Sequence, residues 1–252
     1  MELIWLGLIV IVALGAYIQT VTGFGFGLIV MGIGGALELL SIAELAFIAS
    51  LLSLLNGLSG LYGGVWRQAH FKAMGVFLVT ALPMVWFGLY LLDHLGANAI
   101  NLLQGLLGIT MILVCLSSLL RPEPRNEASP KWHFALCGGF AGVLSGLFST
   151  AGPPISYLMY RQPVPLVVIR ATLLSIFIAL AGFRTTTMVV SGSVTSSMLI
   201  ATVIGAPVVL GVTVLSRKYL INLIQPVLVK RMAMAMLILS GMGLLIRAFT
   251  SA

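Results

Sequence analysis

Two short stretches hold residue types from which a binding site inside an apolar protein could be built. TVTGFGFG at 20–27 sets Gly23, Gly25 and Gly27 at alternate positions in an aliphatic run, and FSTAGPP at 148–154 sets Ser149 and Thr150 ahead of Gly152, Pro153 and Pro154. Alternate glycines admit dihedrals closed to other residues and let a ligand come close to the main chain. The two prolines suit the first turn of a new helix, where a missing N–H is no loss. A helix starting there, or near Leu28 after the first stretch, presents unpaired N–H groups and a positive dipole end. Two such termini facing each other favour an anion, and the hydroxyls of Ser149 and Thr150 stand beside one of them. Close helix packing is the competing use of glycine, and Gly34, Gly35, Gly57 and Gly60 fit that use.

Other polar groups in apolar surroundings extend the candidate set. Gln19, Thr20 and Thr22 precede the first break and Asn56 lies further along; they could complete a cavity or hydrogen-bond neighbouring helices. Arg184, in AGFRTTTMVV, could offer charge and paired donors to an oxyanion, or snorkel to an interface about six residues away. Arg170, in VIRATLL, lies nearer a membrane edge and serves either as an anchor there or as a ligand group. His70 and His94 fall at loop edges, and Cys115 and Cys137 sit in apolar runs as packing residues. No buried carboxylate offers a proton relay, so the driving ion is left open. The metalloprotease and Ser/His enzyme signatures are missing, and GFGFG lacks the spacing of a nucleotide-binding loop. The reading is therefore of a protein that is not an enzyme and carries no cofactor or metal.

The elements that must position these residues are membrane helices. Of 252 residues 60% are hydrophobic and 8% charged, with mean hydropathy +1.15, whereas a soluble domain carries about 25% charged residues. Apolar runs of about 20 residues, enough to cross the hydrocarbon, recur along the chain. The net charge of +7 is scattered between them, which reads as topology signals and excludes a nucleic-acid partner. The start, MELIWLGLIVIVALG, has no basic flank and reads as a retained membrane segment rather than a signal peptide.

One polar linker, RPEPRNEASPK at 121–131, divides the chain into a first membrane repeat at 1–120 and a second at 132–252. Each half opens with a broken apolar segment. The glycines at 23–27 align with 149–153, and Pro83 and Gly88 fall near the register of Pro207 and Gly211. Such weak internal symmetry is a mark of duplicated transporters. Full spans are expected at 43–63, 71–92, 98–120, 167–190, 194–215 and 230–249. If each opening segment crosses once, the basic residues divide almost evenly between the two sides. If each turns back as a hairpin, only Arg184 and Arg247 stand opposite the rest, and the positive-inside rule prefers this arrangement. The expected fold is thus an all-α integral membrane protein of two related, inverted repeats. Each is a broken-helix or hairpin segment plus three transmembrane helices, about eight segments in total. The location is a bacterial inner membrane, with the 121–131 linker cytoplasmic and both termini periplasmic.

TVTGFGFGLIVMG, together with GVLSGLFSTAGPPISYLMYRQPVPLVVIRAT after the midpoint, resembles the sulfite exporter TauE/SafE family of membrane permeases over essentially the whole chain. The resemblance implies transport of sulfite, sulfonates or related organic anions without a cofactor. By matching positions it points to Gly23, Gly25, Gly27, Gly152, Pro153, Pro154 and Arg170. Ser149, Thr150 and Ala151 depart from the family's glycine-rich stretch, so the anion that fits can differ. A passive anion channel and a non-transporting scaffold are the alternative functions. A homodimer stays open, as do the direction of transport and the exact substrate.

Overall fold

The computed structural model describes residues 2–119, 126–220 and 226–250, and the described residues form helices and turns without strands. In chain order the α-helices are α1 (Glu2–Thr22), α2 (Phe26–Ala36), α3 (Ile42–Leu61), α4 (Phe71–Asn98), α5 (Ile100–Leu119), α6 (Lys131–Phe148), α7 (Gly152–Tyr160), α8 (Leu166–Val190), α9 (Ser196–Leu215) and α10 (Pro226–Thr250). Among the described residues five apolar stretches are long enough to cross a membrane: Trp5–Thr22, Ile42–Leu61, Phe71–Gly96, Leu166–Val190 and Ser196–Lys218. The expected spans match helices within a few residues, with one difference: α4 continues past 92 through Asp93 and His94 to Asn98. No proline or glycine follows Leu92 until Gly96, His94 stacks on Tyr90 one turn back, and the helix stops only where Ala99 leaves helical dihedrals. Positions 121–125 of the expected linker lie outside the described residues, as do the side chains of Lys230, Arg231 and Arg247.

Both opening segments fold back on themselves. In the first, Gly7 faces Leu39 and Gly15 faces Phe26, so α1 and α2 run in opposite directions about a tip at 23–25. In the second, Ser129 N donates to Gln162 Oε1 at 2.9 Å and Gln162 Nε2 donates to Ser129 Oγ at 2.8 Å. These bonds clasp the start of α6 to the end of α7. The arms are unequal: 21 residues in α1 reach about 31 Å, while nine in α7 reach about 13 Å.

The helices pair reciprocally. α4 lies along α6 and α1 along α9, α3 packs on α9 as α8 packs on α4, and α3 meets α8 while α5 meets α10. Side chains fix the directions. Along α3, Glu44, Leu52 and Asn56 meet Ser197, Gly205 and Thr213 in turn, so α3 and α9 run parallel. α3 and α8 oppose each other, since Gly60 meets Leu174 while Ala46 meets Arg184. The tightest seam is α4 on α6. There an added Cβ on Gly142 or Gly146 would stand 2.4 Å from the carbonyl of Ala81 or Val85, so these glycines let two backbones touch.

Charge sorts by end. Arg67, Lys72, Lys131 and Arg161 lie where α3, α4, α6 and α7 start or stop at one end of the bundle, and Arg217 joins them by donating to Ser59 O at 2.6 Å. At the other end Ser41 and Glu44 cap α3 reciprocally, and Glu44 also accepts from Ser197 Oγ at the start of α9.

Candidate anion site

At the first break, α1 ends with Thr22, whose Oγ1 lies 2.8 Å from Ile18 O and 2.7 Å from Phe24 O. Gly23 at φ +83° and Gly25 at φ +106° then take left-handed dihedrals that cost any L side chain about 1–2 kcal/mol. These two residues force the turn, and α2 starts at Phe26 with no side chain capping its first N–H groups. Helix starts without a cap present donors to whatever lies in front of them.

The second break uses different residues for the same result. Ser149 takes the left-handed conformation at φ +55° and closes α6, its N–H reaching Ser145 O at 2.9 Å. α7 begins at Gly152 with proline in its first turn and again no side-chain cap. The tips meet: an added Cβ on Gly27 would stand 2.1 Å from Ser149 O, and one on Gly152 would stand 3.1 Å from the Phe24 ring. Between them lies a cavity lined by Gln19, Gly25, Gly27, Ser149, Thr150 and Gly152 from the candidate set, with Ser53 and Phe177 added. Its volume, about 20 Å³, holds a single water molecule. Thr150 Oγ1 is buried there without a protein partner, and Gln19 accepts from Ser53 Oγ at 3.0 Å.

Arg184 stands behind this cavity, fully buried, so snorkelling to the outer interface is overturned. The reason lies in its partners. Nε donates to Gly146 O at 3.1 Å, and Nη1 donates to Ala46 O at 2.8 Å and to Ser50 Oγ at 3.0 Å. Ser50 Oγ in turn shares a hydrogen bond of 2.9 Å with Ser149 Oγ. A chain of two hydroxyls thus connects the guanidinium to the second break, and Nη2 has no protein partner. A cation held this far from water acts on nearby charge far more strongly than one at a surface.

Arg170 packs on the first break, its Cα and Cγ each 3.7 Å from a Cβ built on Gly23. Beside it Tyr160 Oη donates to Thr22 O at 3.0 Å. Arg170 therefore buttresses the tip without lining the cavity. Asn56 does not line it either: Nδ2 lies within 3.1 Å of Ala16 O, Thr20 Oγ1 and Thr213 Oγ1, which knits α1, α3 and α9 together. Pro154 faces the groove between α6 and α7, and the side chain of Pro153 lies outside the described residues. Ser50 and Ser53 escaped notice in the sequence, although Ser50, Ser53 and Asn56 recur every third position and so mark one face of α3.

Residues 8–244 match the family described as Sulfite exporter TauE/SafE. The chain is 35% identical over 250 residues to a probable sulfite/organosulfonate exporter TauE of Cupriavidus necator, covering 98% of this chain and 95% of that protein. It is 27% identical over 185 residues to a probable inner membrane transporter protein TsaS of Comamonas testosteroni, covering 73% and 76% respectively. No solved structure matches it. With apolar helices of membrane-spanning length and a family match over almost its full length, this chain belongs to the sulfite exporter TauE/SafE family of membrane transporters.

Proposed function

We propose that the protein is a secondary carrier of small sulfur-containing oxyanions, sulfite and organosulfonates among them, bound where the two helix breaks meet. One observation carries the reading: the uncapped starts of α2 and α7 converge on one small cavity, with the unpartnered Thr150 hydroxyl inside it and the Arg184 charge behind it. Backbone N–H groups and a buried cation suit a compact oxyanion. The name of the Cupriavidus necator relative points to the same class of substrate, and that of the Comamonas testosteroni relative to a membrane transporter.

The cavity as it stands, about 20 Å³, has room for about one water, so an anion enters only when the tips part. That supports a carrier over a passive pore, which needs a continuous path. We read residues 1–120 and 132–252 as two inverted repeats, an arrangement supported by the reciprocal pairing of α4 with α6 and of α1 with α9. Rocking of one repeat against the other would expose the cavity alternately. The gathering of Arg67, Lys72, Lys131, Arg161 and Arg217 at one end supports a cytoplasmic assignment for that end, the 121–131 linker included, with both termini periplasmic.

The test is uptake of labelled sulfite into liposomes containing the purified protein, with methanesulfonate and sulfate as competitors. The reading predicts saturable uptake that methanesulfonate inhibits. Uptake that rises linearly with sulfite, or none for any of these anions, would contradict it.

A further inference from the structure

A second site lies away from the helix breaks, in the cleft between the arms of the second hairpin. The cleft has a volume of about 500 Å³ and runs from Arg161, His133 and Ser129 at the charged end down to Cys137, Phe140 and Pro154. That volume is in the range of small-molecule sites. Its two ends differ in chemistry.

At the mouth, Arg161 reaches Tyr157 Oη through Nη1 at 3.3 Å and lies over the Tyr157 ring, while its Nε is buried without a protein partner. His133 Nδ1 is likewise buried and unpartnered. Ser129 Oγ accepts from Gln162, which leaves its proton free to donate outward. The α6 N-terminus opens at the same level without a side-chain cap. Three donor groups and a positive helix end therefore converge where a buried donor left unpaired costs about 1–3 kcal/mol.

Below the mouth the lining is apolar, and the neighbouring surface of α6 points outward: Leu136 is 56% and Phe140 72% exposed. Trp132, also exposed, stacks on His133 with ring centroids 3.9 Å apart, the position in which interfacial tryptophans mark the headgroup level. An anion-binding mouth at the interface above an apolar channel has the shape and polarity of one phospholipid. We propose that this cleft binds an anionic phospholipid, its phosphate held by Arg161, His133 and Ser129 and an acyl chain lying along Cys137, Phe140 and Pro154. Basic pockets between membrane helices take anionic headgroups on the same principle.

The experiment reads Trp132 fluorescence in the protein carrying Trp5→Phe, Trp66→Phe and Trp86→Phe, reconstituted in phosphatidylcholine vesicles. The vesicles contain increasing amounts of dibrominated phosphatidylglycerol or of dibrominated phosphatidylcholine. The proposal predicts half-maximal quenching at about fivefold lower mole fraction for the glycerol lipid, the factor expected for one cation at an anionic headgroup. Adding Arg161→Ala removes the preference, whereas inorganic phosphate in the buffer leaves it intact. Equal quenching by the two lipids overturns the proposal, and so does loss of the preference on adding inorganic phosphate, which would assign the mouth to a free anion. If the Arg161→Ala protein does not fold, the comparison of the two lipids decides alone.

Discussion

Arg184 is the residue on which the electrostatics of the site turn. Its donors go to carbonyls of α3 and α6 and to Ser50, and Ser50 passes the contact to Ser149 at the break. Arg184→Gln keeps a polar side chain but removes the charge and one fork of donors, and a hydrogen bond to a charged group contributes about 1.5–3 kcal/mol. Initial rates in proteoliposomes should fall by about tenfold to a hundredfold, with Arg184→Lys recovering part of the loss; unchanged rates in Arg184→Gln would remove the cation from the account. Part of this was legible in the sequence. Charged residues at bilayer depth are functional candidates, and Arg184 stood out on that ground. Its burial was not legible, because the carbonyls that hold it belong to helices distant in the chain, Ala46 of α3 and Gly146 of α6. The case of Asn56 is similar. Its partners on α1 and α9 decide that it joins helices, and no local pattern names them.

At the level of elements, the helix bounds followed from apolar run lengths and the breaks from their Gly and Pro residues, since membrane depth leaves backbone few other choices. What composition did not reveal was which neighbour each helix would take. Gly138, Gly142 and Gly146 recur at every fourth position of α6, and they bring that helix against the backbone of α4 at Phe77, Ala81 and Val85. Gly139, next to them in sequence, has open space where a side chain would go. Gly142→Val should therefore destabilise the protein by about 1–3 kcal/mol, the usual cost of overpacking, while Gly139→Val should change little. Melting temperatures of the two variants in detergent check this, and equal shifts would dissolve the seam.

For the whole molecule, the proposed inverted plan makes a claim about sides. Lys72 opens α4 at the basic end, and Ser191 is exposed in the turn between α8 and α9 at the other. With Cys115 and Cys137 replaced by alanine, Lys72→Cys should react with an impermeant maleimide only from the cytoplasmic side and Ser191→Cys only from the periplasmic side. Labelling of both from one side would refute the orientation. The alignment of the 20–27 and 148–154 stretches suggested two halves whose breaks face each other, but which residues touch where they meet was not legible, because it depends on how the halves dock. That meeting is the central claim, and it can be locked. A Cβ built on Gly152 lies 3.4 Å from Phe24 Cβ, close to the separation a disulfide spans. In the protein lacking Cys115 and Cys137, the pair Phe24→Cys and Gly152→Cys should cross-link on oxidation, abolish sulfite flux into proteoliposomes and regain it on reduction. Full flux through the cross-linked protein would contradict a site that must open between the two tips.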